Sequence, residues 1–210
     1  MVTRRGRIGV LGGTFDPIHW GHLLIAEEAR VHFRLEKVLF VPARNQWRKQ
    51  GRNLSHGDDR LAMVMAAIAN NPDFAVSRVD LDREAATYTA DTLQDLSGEY
   101  DLYFVMGMDA LLDLPHWREP GKIAALAWLV AAMRPGYVLD WAAIERAVPN
   151  ARARVLPLPV PEIGVSSTAV RQRMGEGKTI RYWVPDAVAD YITDHGLYLP
   201  PARPANHSHT

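Results

Sequence analysis

The chain reads as an α/β protein, a doubly wound parallel sheet with helices on both faces and a small C-terminal helical part. Three observations predict it. Strand-like runs alternate with helical runs, the pattern of a parallel sheet covered by helices. The strand candidates are short apolar runs that stop at Gly or Pro: Ile8–Leu11 before Gly12, Lys37–Val41 before Pro42, Leu102–Met106 before Gly107. The chain has 210 residues, 48% hydrophobic and 23% charged, enough for one domain with a real core. Residues 1–200 are expected to form that single domain, with 201–210 a Pro- and His-containing tail.

The elements follow in order. Ile8–Leu11 is the first strand. Gly12 and Gly13 let the chain turn, Pro17 fixes one φ angle, and Gly21 leads into a helix over 23–33 whose stripe is Leu24, Ile25 and Ala29. The second strand, Lys37–Pro42, opens into a polar loop over 43–57. Asp58 and Asp59 suit the first turn of a helix whose apolar positions are Leu61, Val64, Met65 and Ile68. Phe74–Val79 is a third strand, and Thr89 can cap a helix over 90–97. A central strand, Leu102–Met106, is followed by a short helix and Pro115-His-Trp117, then by a buried strand over Ala127–Met133. Residues 139–148 look helical. Arg154–Leu158 carries prolines on or beside it, the mark of an edge strand. Ser166–Met174 is a short helix, and Pro185 opens a last one that Gly196 stops.

Composition excludes several function classes. The 24 basic and 24 acidic residues cancel, so bulk charge favours neither nucleic acid nor an anionic membrane. Without Cys there is no disulfide, no thiol nucleophile and no thiolate metal site. No apolar run approaches the roughly 20 residues of a membrane span, and no signal peptide is seen. The expected location is the cytoplasm.

Two stretches carry chemistry. The first is Gly12-Gly-Thr-Phe-Asp-Pro-Ile-His-Trp-Gly-His22, directly after a strand. A Gly-rich turn between strand and helix gathers unpaired N–H groups and the helix dipole, which suits an anion. His19 and His22 stand at its mouth. It does not match the dinucleotide fingerprint G-x-G-x-x-G, nor a P-loop. Gly177-Lys178-Thr179 is no P-loop either, because position 172 is Gln and a helix precedes it. A metal pair is open, but helical His ligands usually stand four apart and no Cys completes a zinc site. A tight turn with two surface histidines is the plain alternative. The second stretch is Ser166-Ser-Thr-Ala-Val-Arg171. Ser166 or Ser167 can cap the helix. Arg171 then stands near the positive end of the dipole, where a cation is unfavourable unless an anion joins it. An Arg bent toward solvent is equally compatible. In doubly wound sheets ligands sit beyond the carboxyl ends of the strands. Residues 12–22, 43–49, 107–109 and 134–136 all fall there.

These two stretches resemble the paired signatures of the H-x-G-H nucleotidyltransferase superfamily, and within it the bacterial nicotinate-nucleotide adenylyltransferases. The resemblance implies a Rossmann-like fold, and ATP and nicotinate mononucleotide as substrates. The products would be nicotinate adenine dinucleotide and pyrophosphate, made on the route to NAD. It implies catalytic roles for His19, His22, Arg171 and Lys49, and ATP contacts from Gly12, Gly13, Thr14, Phe15, His22, Gly107, Asp109, Ser166, Ser167 and Arg171. It implies mononucleotide contacts from Thr87, Tyr88, Trp117, Arg134 and Lys49. Position 108 is Met where similar enzymes often have Ala. The loop Arg44–Arg52 holds four cations and no acid. A solvated loop explains such a run, and it departs from the family's Pro-Pro-His-Lys context, so Arg48 competes with Lys49 for the phosphate. A lone Trp usually packs in a core; Trp117 resembles the aromatic that stacks on the pyridine ring. Mg²⁺ is expected with ATP, held by phosphate oxygens and water, with no protein cage. A homo-oligomer stays open.

Other classes make different demands. A sister transferase would use nicotinamide mononucleotide, phosphopantetheine or a phospho-alcohol. An idle nucleotide-binding protein would not need the complete His pair with Arg171. A nucleic-acid binder, as in some tRNA synthetases, would be longer and more basic. Acid versus amide preference is not legible in the side chains.

Overall fold

In a computed structural model that describes residues 5–44, 54–98, 100–133 and 139–199, six parallel strands form one sheet in the order β3-β2-β1-β4-β5-β6. These are β1 (Gly6–Gly13), β2 (Lys37–Pro42), β3 (Phe74–Val76), β4 (Tyr100–Gly107), β5 (Ala127–Met133) and β6 (Val155–Pro159). Helices α1 (Trp20–Phe33), α2 (Gly57–Ile68), α3 (Thr89–Leu96), α4 (Met108–Asp113), α5 (Pro120–Leu126), α6 (Trp141–Ala147), α7 (Ala151–Arg154), α8 (Ser167–Gly175) and α9 (Asp186–Asp194) connect and follow them. The expected doubly wound sheet is present.

Why the strands are apolar throughout is visible in the core. Along β4, Leu102, Phe104 and Met106 face one apolar cluster and Tyr103 and Val105 the other. Side chains alternate across a sheet, so both parities must be apolar when both faces are covered. One cluster takes in α1, α2, α8 and α9, through residues such as Ala26, Val64, Val170 and Ile192. The other takes in α3 to α7, through Leu93, Leu111, Ile123, Ile144 and Ala151. The two C-terminal helices are therefore part of the packing on one sheet face. Among the described residues no helix is long and apolar enough to cross a membrane.

Several expectations shift. β3 ends at Val76, short of Val79; its last ladder partner is Phe40, and Ser77 then turns its hydroxyl back to the Val79 N–H at 3.4 Å. Tyr88 is the N-cap of α3, and Thr89 is its first helical residue. Met65 stands 53% exposed on α2, and Met63 takes the buried place instead. Helices α5 and α7 are additions. β6 lies at the edge of the sheet, as its prolines require. The tail over 201–210 lies outside the described residues.

Strand order reverses between β1 and β4: from β1 the chain moves outward to β2 and β3, then returns to β4 on the other side. The carboxyl ends of these two strands border a crevice, the place where such sheets bind ligands.

Candidate active site

β1 delivers Gly12 and Gly13 to that crevice. A Cβ on Gly13 would lie 2.9 Å from two Phe15 ring carbons, so only Gly fits there. At Gly12 a Cβ would meet only the Phe104 ring, at 3.7 Å. Phe15 adopts a left-handed φ of 50° with its ring 2% exposed. That conformation is uncommon for a bulky residue, and its persistence means the surroundings impose it. The ring packs against Phe40 and edge-on to His22, at 5.9 and 5.1 Å between centroids. Phe15 can thus offer a ligand its backbone but not its ring.

His19 ends the loop as the N-cap of α1. Its ring stacks on that of His22, with centroids 3.7 Å apart. The His19 N–H donates to His22 Nδ1 at 3.2 Å. A nitrogen that accepts carries no proton, so the proton of the neutral His22 ring sits on Nε2.

α8 closes on this loop from 150 residues downstream. Ser167 Oγ donates to the Pro17 carbonyl at 2.8 Å, and Arg171 Nη1 donates to the Asp16 carbonyl at 2.6 Å. Ser166 is the helix cap, its Oγ accepting from the Ala169 N–H at 3.2 Å. The structure therefore brings His19, His22, Ser166, Ser167 and Arg171 to one loop. Both serine hydroxyls already have structural partners.

Beside the loop lies a cavity of about 590 Å³. Gly12, Gly13, Thr87, Tyr88, Asp109 and Trp117 all line it, so six of the expected contacts share one cavity. Trp117 is half-buried; its Nε1–H donates to Asp113 at 3.1 Å and its ring meets Phe104 edge-on. Gly107 caps α4 at the end of β4, next to Asp109. Lys49, its rival Arg48, and Arg134 lie outside the described residues. Among the described residues no group of three or more His, Asp or Glu could hold a metal ion.

The cytidylyltransferase-like family model matches residues 10–173. A protein of Roseiflexus castenholzii named "Probable nicotinate-nucleotide adenylyltransferase" is 48% identical over 92% of this chain and 98% of its own. One of Corynebacterium glutamicum, named likewise, is 45% identical over 95% of this chain and 91% of its own. The chain belongs to the nicotinate-nucleotide adenylyltransferase family. In fold, this family member is similar to the Plasmodium falciparum nicotinic acid mononucleotide adenylyltransferase solved with NaAD. The TM-score is 0.72 at 22% identity, over 92% of this chain and 97% of the other.

Three site-shaping residues of this nucleotidyltransferase escaped the sequence reading. Arg60 of α2 is 2% exposed. It donates to the carbonyls of Thr14 at 2.8 Å, Ala43 at 2.7 Å, Ser55 at 3.1 Å and Arg44 at 3.2 Å. It ties the ends of β1 and β2 together beneath the loop. Burial pulls its guanidinium pKa down, and the nearby Asp16 carboxylate pulls it back up. Asp16, 1% exposed, accepts from Tyr198 Oη at 2.5 Å and from the Ser55 N–H at 3.4 Å. Burial and the Asp16 hydrogen bond push the Tyr198 phenol up, which keeps it a neutral donor. One signal could have found Arg60: it stands near the N-terminus of its helix, the same misplaced cation that drew notice at Arg171. Nothing in the sequence pairs Tyr198 with Asp16.

Proposed function

We propose that this chain is a nicotinate-nucleotide adenylyltransferase, joining nicotinate mononucleotide to ATP with release of pyrophosphate in NAD biosynthesis. The single observation that carries the reading is the contact of Arg171 with the Asp16 carbonyl. It sets a guanidinium and a helix N-terminus against the Gly-rich turn and the His pair, beside a cavity walled by Tyr88 and Trp117. A polyphosphate at the turn and a pyridine nucleotide in the cavity would then be neighbours. The family's names support that choice of substrates.

In this reading the mononucleotide phosphate is the nucleophile. One of its oxygens bonds to the ATP α-phosphorus as the bond to the β-bridging oxygen breaks, and pyrophosphate leaves with that electron pair. The attacking phosphate is ionised at neutral pH, so no general base and no covalent enzyme intermediate are required. The chain's task is positioning and charge neutralisation. His22 Nε2–H, His19, Arg171, Lys49 and the amides around Thr14 are the donors assigned to it. Gly107 and Asp109 are assigned to the ATP ribose. Thr87, Tyr88, Trp117 and Arg134 are assigned to the mononucleotide, with Trp117 stacked on its ring.

Mg²⁺ is expected with ATP in this reading. An ion arriving with ATP would be held by phosphate oxygens and water, and no step above depends on it. A cytoplasmic location is part of the same proposal.

The test is to incubate the protein with ATP and, separately, each of the two pyridine mononucleotides, and to identify the product by mass. Nicotinate adenine dinucleotide with equimolar pyrophosphate is the expected result. No dinucleotide from either would refute the reading.

A further inference from the structure

We infer that Tyr198 is a positioning residue for the transfer: by anchoring the Asp16 carboxylate, it fixes the carbonyl that aims Arg171 at the polyphosphate. The inference rests on the proposed function. Asp16 meets two distant segments at once. Its carbonyl accepts from Arg171 Nη1 at 2.6 Å, and its carboxylate accepts from Tyr198 Oη at 2.5 Å. Side chain and carbonyl belong to one residue, so anchoring the first limits how far the second can swing. Without Tyr198, the carboxylate keeps only the longer bond from the Ser55 N–H, at 3.4 Å, among the described residues. The hydrogen-bond partners of Arg171 are neutral oxygens, the Asp16 carbonyl and, at 3.4 Å, the Thr168 hydroxyl. Its charge is left for a phosphate, while its direction follows the Asp16 carbonyl.

The backbone around this bond is unusual on both sides. Tyr198 lies beyond the end of α9, and Gly196 and Tyr198 both take a left-handed φ of 61°. Glycine adopts that region freely, whereas a tyrosine does so only where its surroundings impose it. Phe15, the residue before Asp16, is left-handed as well, at 50°. The Tyr198 ring packs against the apolar cluster that holds Val170 of α8 and Ile192 of α9. Arg171 follows Val170 directly, so the ring that anchors Asp16 and the guanidinium it directs share one packed base.

Fastening the C-terminal segment does not by itself call for this bond. Tyr191, on α9, donates to Asp59 of α2 at 3.0 Å and joins helix to helix. Tyr198 instead reaches a residue of the loop between β1 and α1.

The experiment measures kcat and both KM values in the parent, Tyr198→Phe, Tyr191→Phe, Arg171→Gln and the double variant Tyr198→Phe/Arg171→Gln. Each is assayed well below its own thermal midpoint, with product accumulated over hours where turnover is slow. Both phenylalanine variants keep their ring and lose one hydrogen bond, so both should fold, as their midpoints will report. In Tyr198→Phe, kcat should fall about tenfold, within the range that a small misplacement of a positioning group produces. KM for the mononucleotide, whose assigned contacts line the cavity, should stay within about twofold, and Tyr191→Phe should keep its kcat within about twofold. With Arg171 already replaced, the Tyr198 change should cost less than about twofold, because residues that act through one another do not add. A merely structural role would lower kcat by the same factor in both backgrounds. Equal losses in the two backgrounds, or a Tyr198→Phe kcat no lower than that of Tyr191→Phe, overturn the inference with the proposed function intact. A parent that makes no dinucleotide takes down both.

Discussion

Replacing Arg60 by Met tests whether the phosphate loop is held from beneath. Met fills much of the same space and donates nothing. Two acceptors would be stranded in fully buried surroundings, the carbonyls of Thr14 and Ala43, now bonded at 2.8 and 2.7 Å. An orphaned buried acceptor costs about 1–3 kcal/mol. The bonds to Ser55 and Arg44, 3.1 and 3.2 Å long, lie in half-buried ground where water can substitute. Asp16 would also lose its nearest buried positive charge. Against these losses, the variant no longer has to desolvate a guanidinium, which returns part of the difference. The net is a loss of about 3–4 kcal/mol, a fall of about 6–16 °C in the thermal midpoint for a chain of this size. Thermal unfolding followed by circular dichroism measures it directly. Turnover should then be assayed well below the variant's own midpoint, where a misplaced loop shows as lost activity in folded protein. A midpoint within about 2 °C of the parent would refute the account, because the four carbonyls would then be satisfied without Arg60.

Three further outcomes are expected. His22→Ala should lower kcat about a hundredfold or more while the fold survives, on the scale of losing one oxyanion donor; turnover within about threefold of the parent would remove His22 from the transition state. Gly12→Ala should melt like the parent, since its methyl meets only the Phe104 ring at 3.7 Å, yet raise KM by about tenfold because the methyl occupies the crevice that the ligand backbone approaches; an unchanged KM places the ligand elsewhere. Burial pushes the Asp80 carboxyl above its ordinary 3.8. Its protonated form therefore favours folding, and that contribution fades as pH rises through the folded pKa. Asp80→Asn should be more stable than the parent near pH 7 and lose that advantage near pH 3, as chemical denaturation at both pH values will report.

What the sequence made legible was local or periodic. The strands were readable because apolar runs need no partner to be recognised, and the sheet because such runs alternate with helical ones. The loop over 12–22 was readable because its glycines and histidines are close in sequence. Arg171 joined it through a cation misplaced at a helix N-terminus, and the structure gives that guanidinium the Asp16 carbonyl. Harder to see was whatever depends on closure. Arg60, between Asp59 and Leu61, has nothing in its sequence neighbours to mark it as buried, because burial at 2% is a property of the assembled layers. α5 and α7 were too short for a period of 3.6 to register. β3 was read too long because Ser77, compatible with a strand by composition, uses its hydroxyl to leave the ladder.

The bond between Tyr198 and Asp16 spans 182 positions. A ribosome makes the glycine turn and both histidines within its first two dozen codons, long before it reaches this tyrosine. Until then the Asp16 carboxylate lacks its Tyr198 partner. Readiness to handle a nucleotide thus arrives late in synthesis, after the last helix is laid down. A nascent chain on the ribosome, though it carries the whole signature, should leave ATP alone.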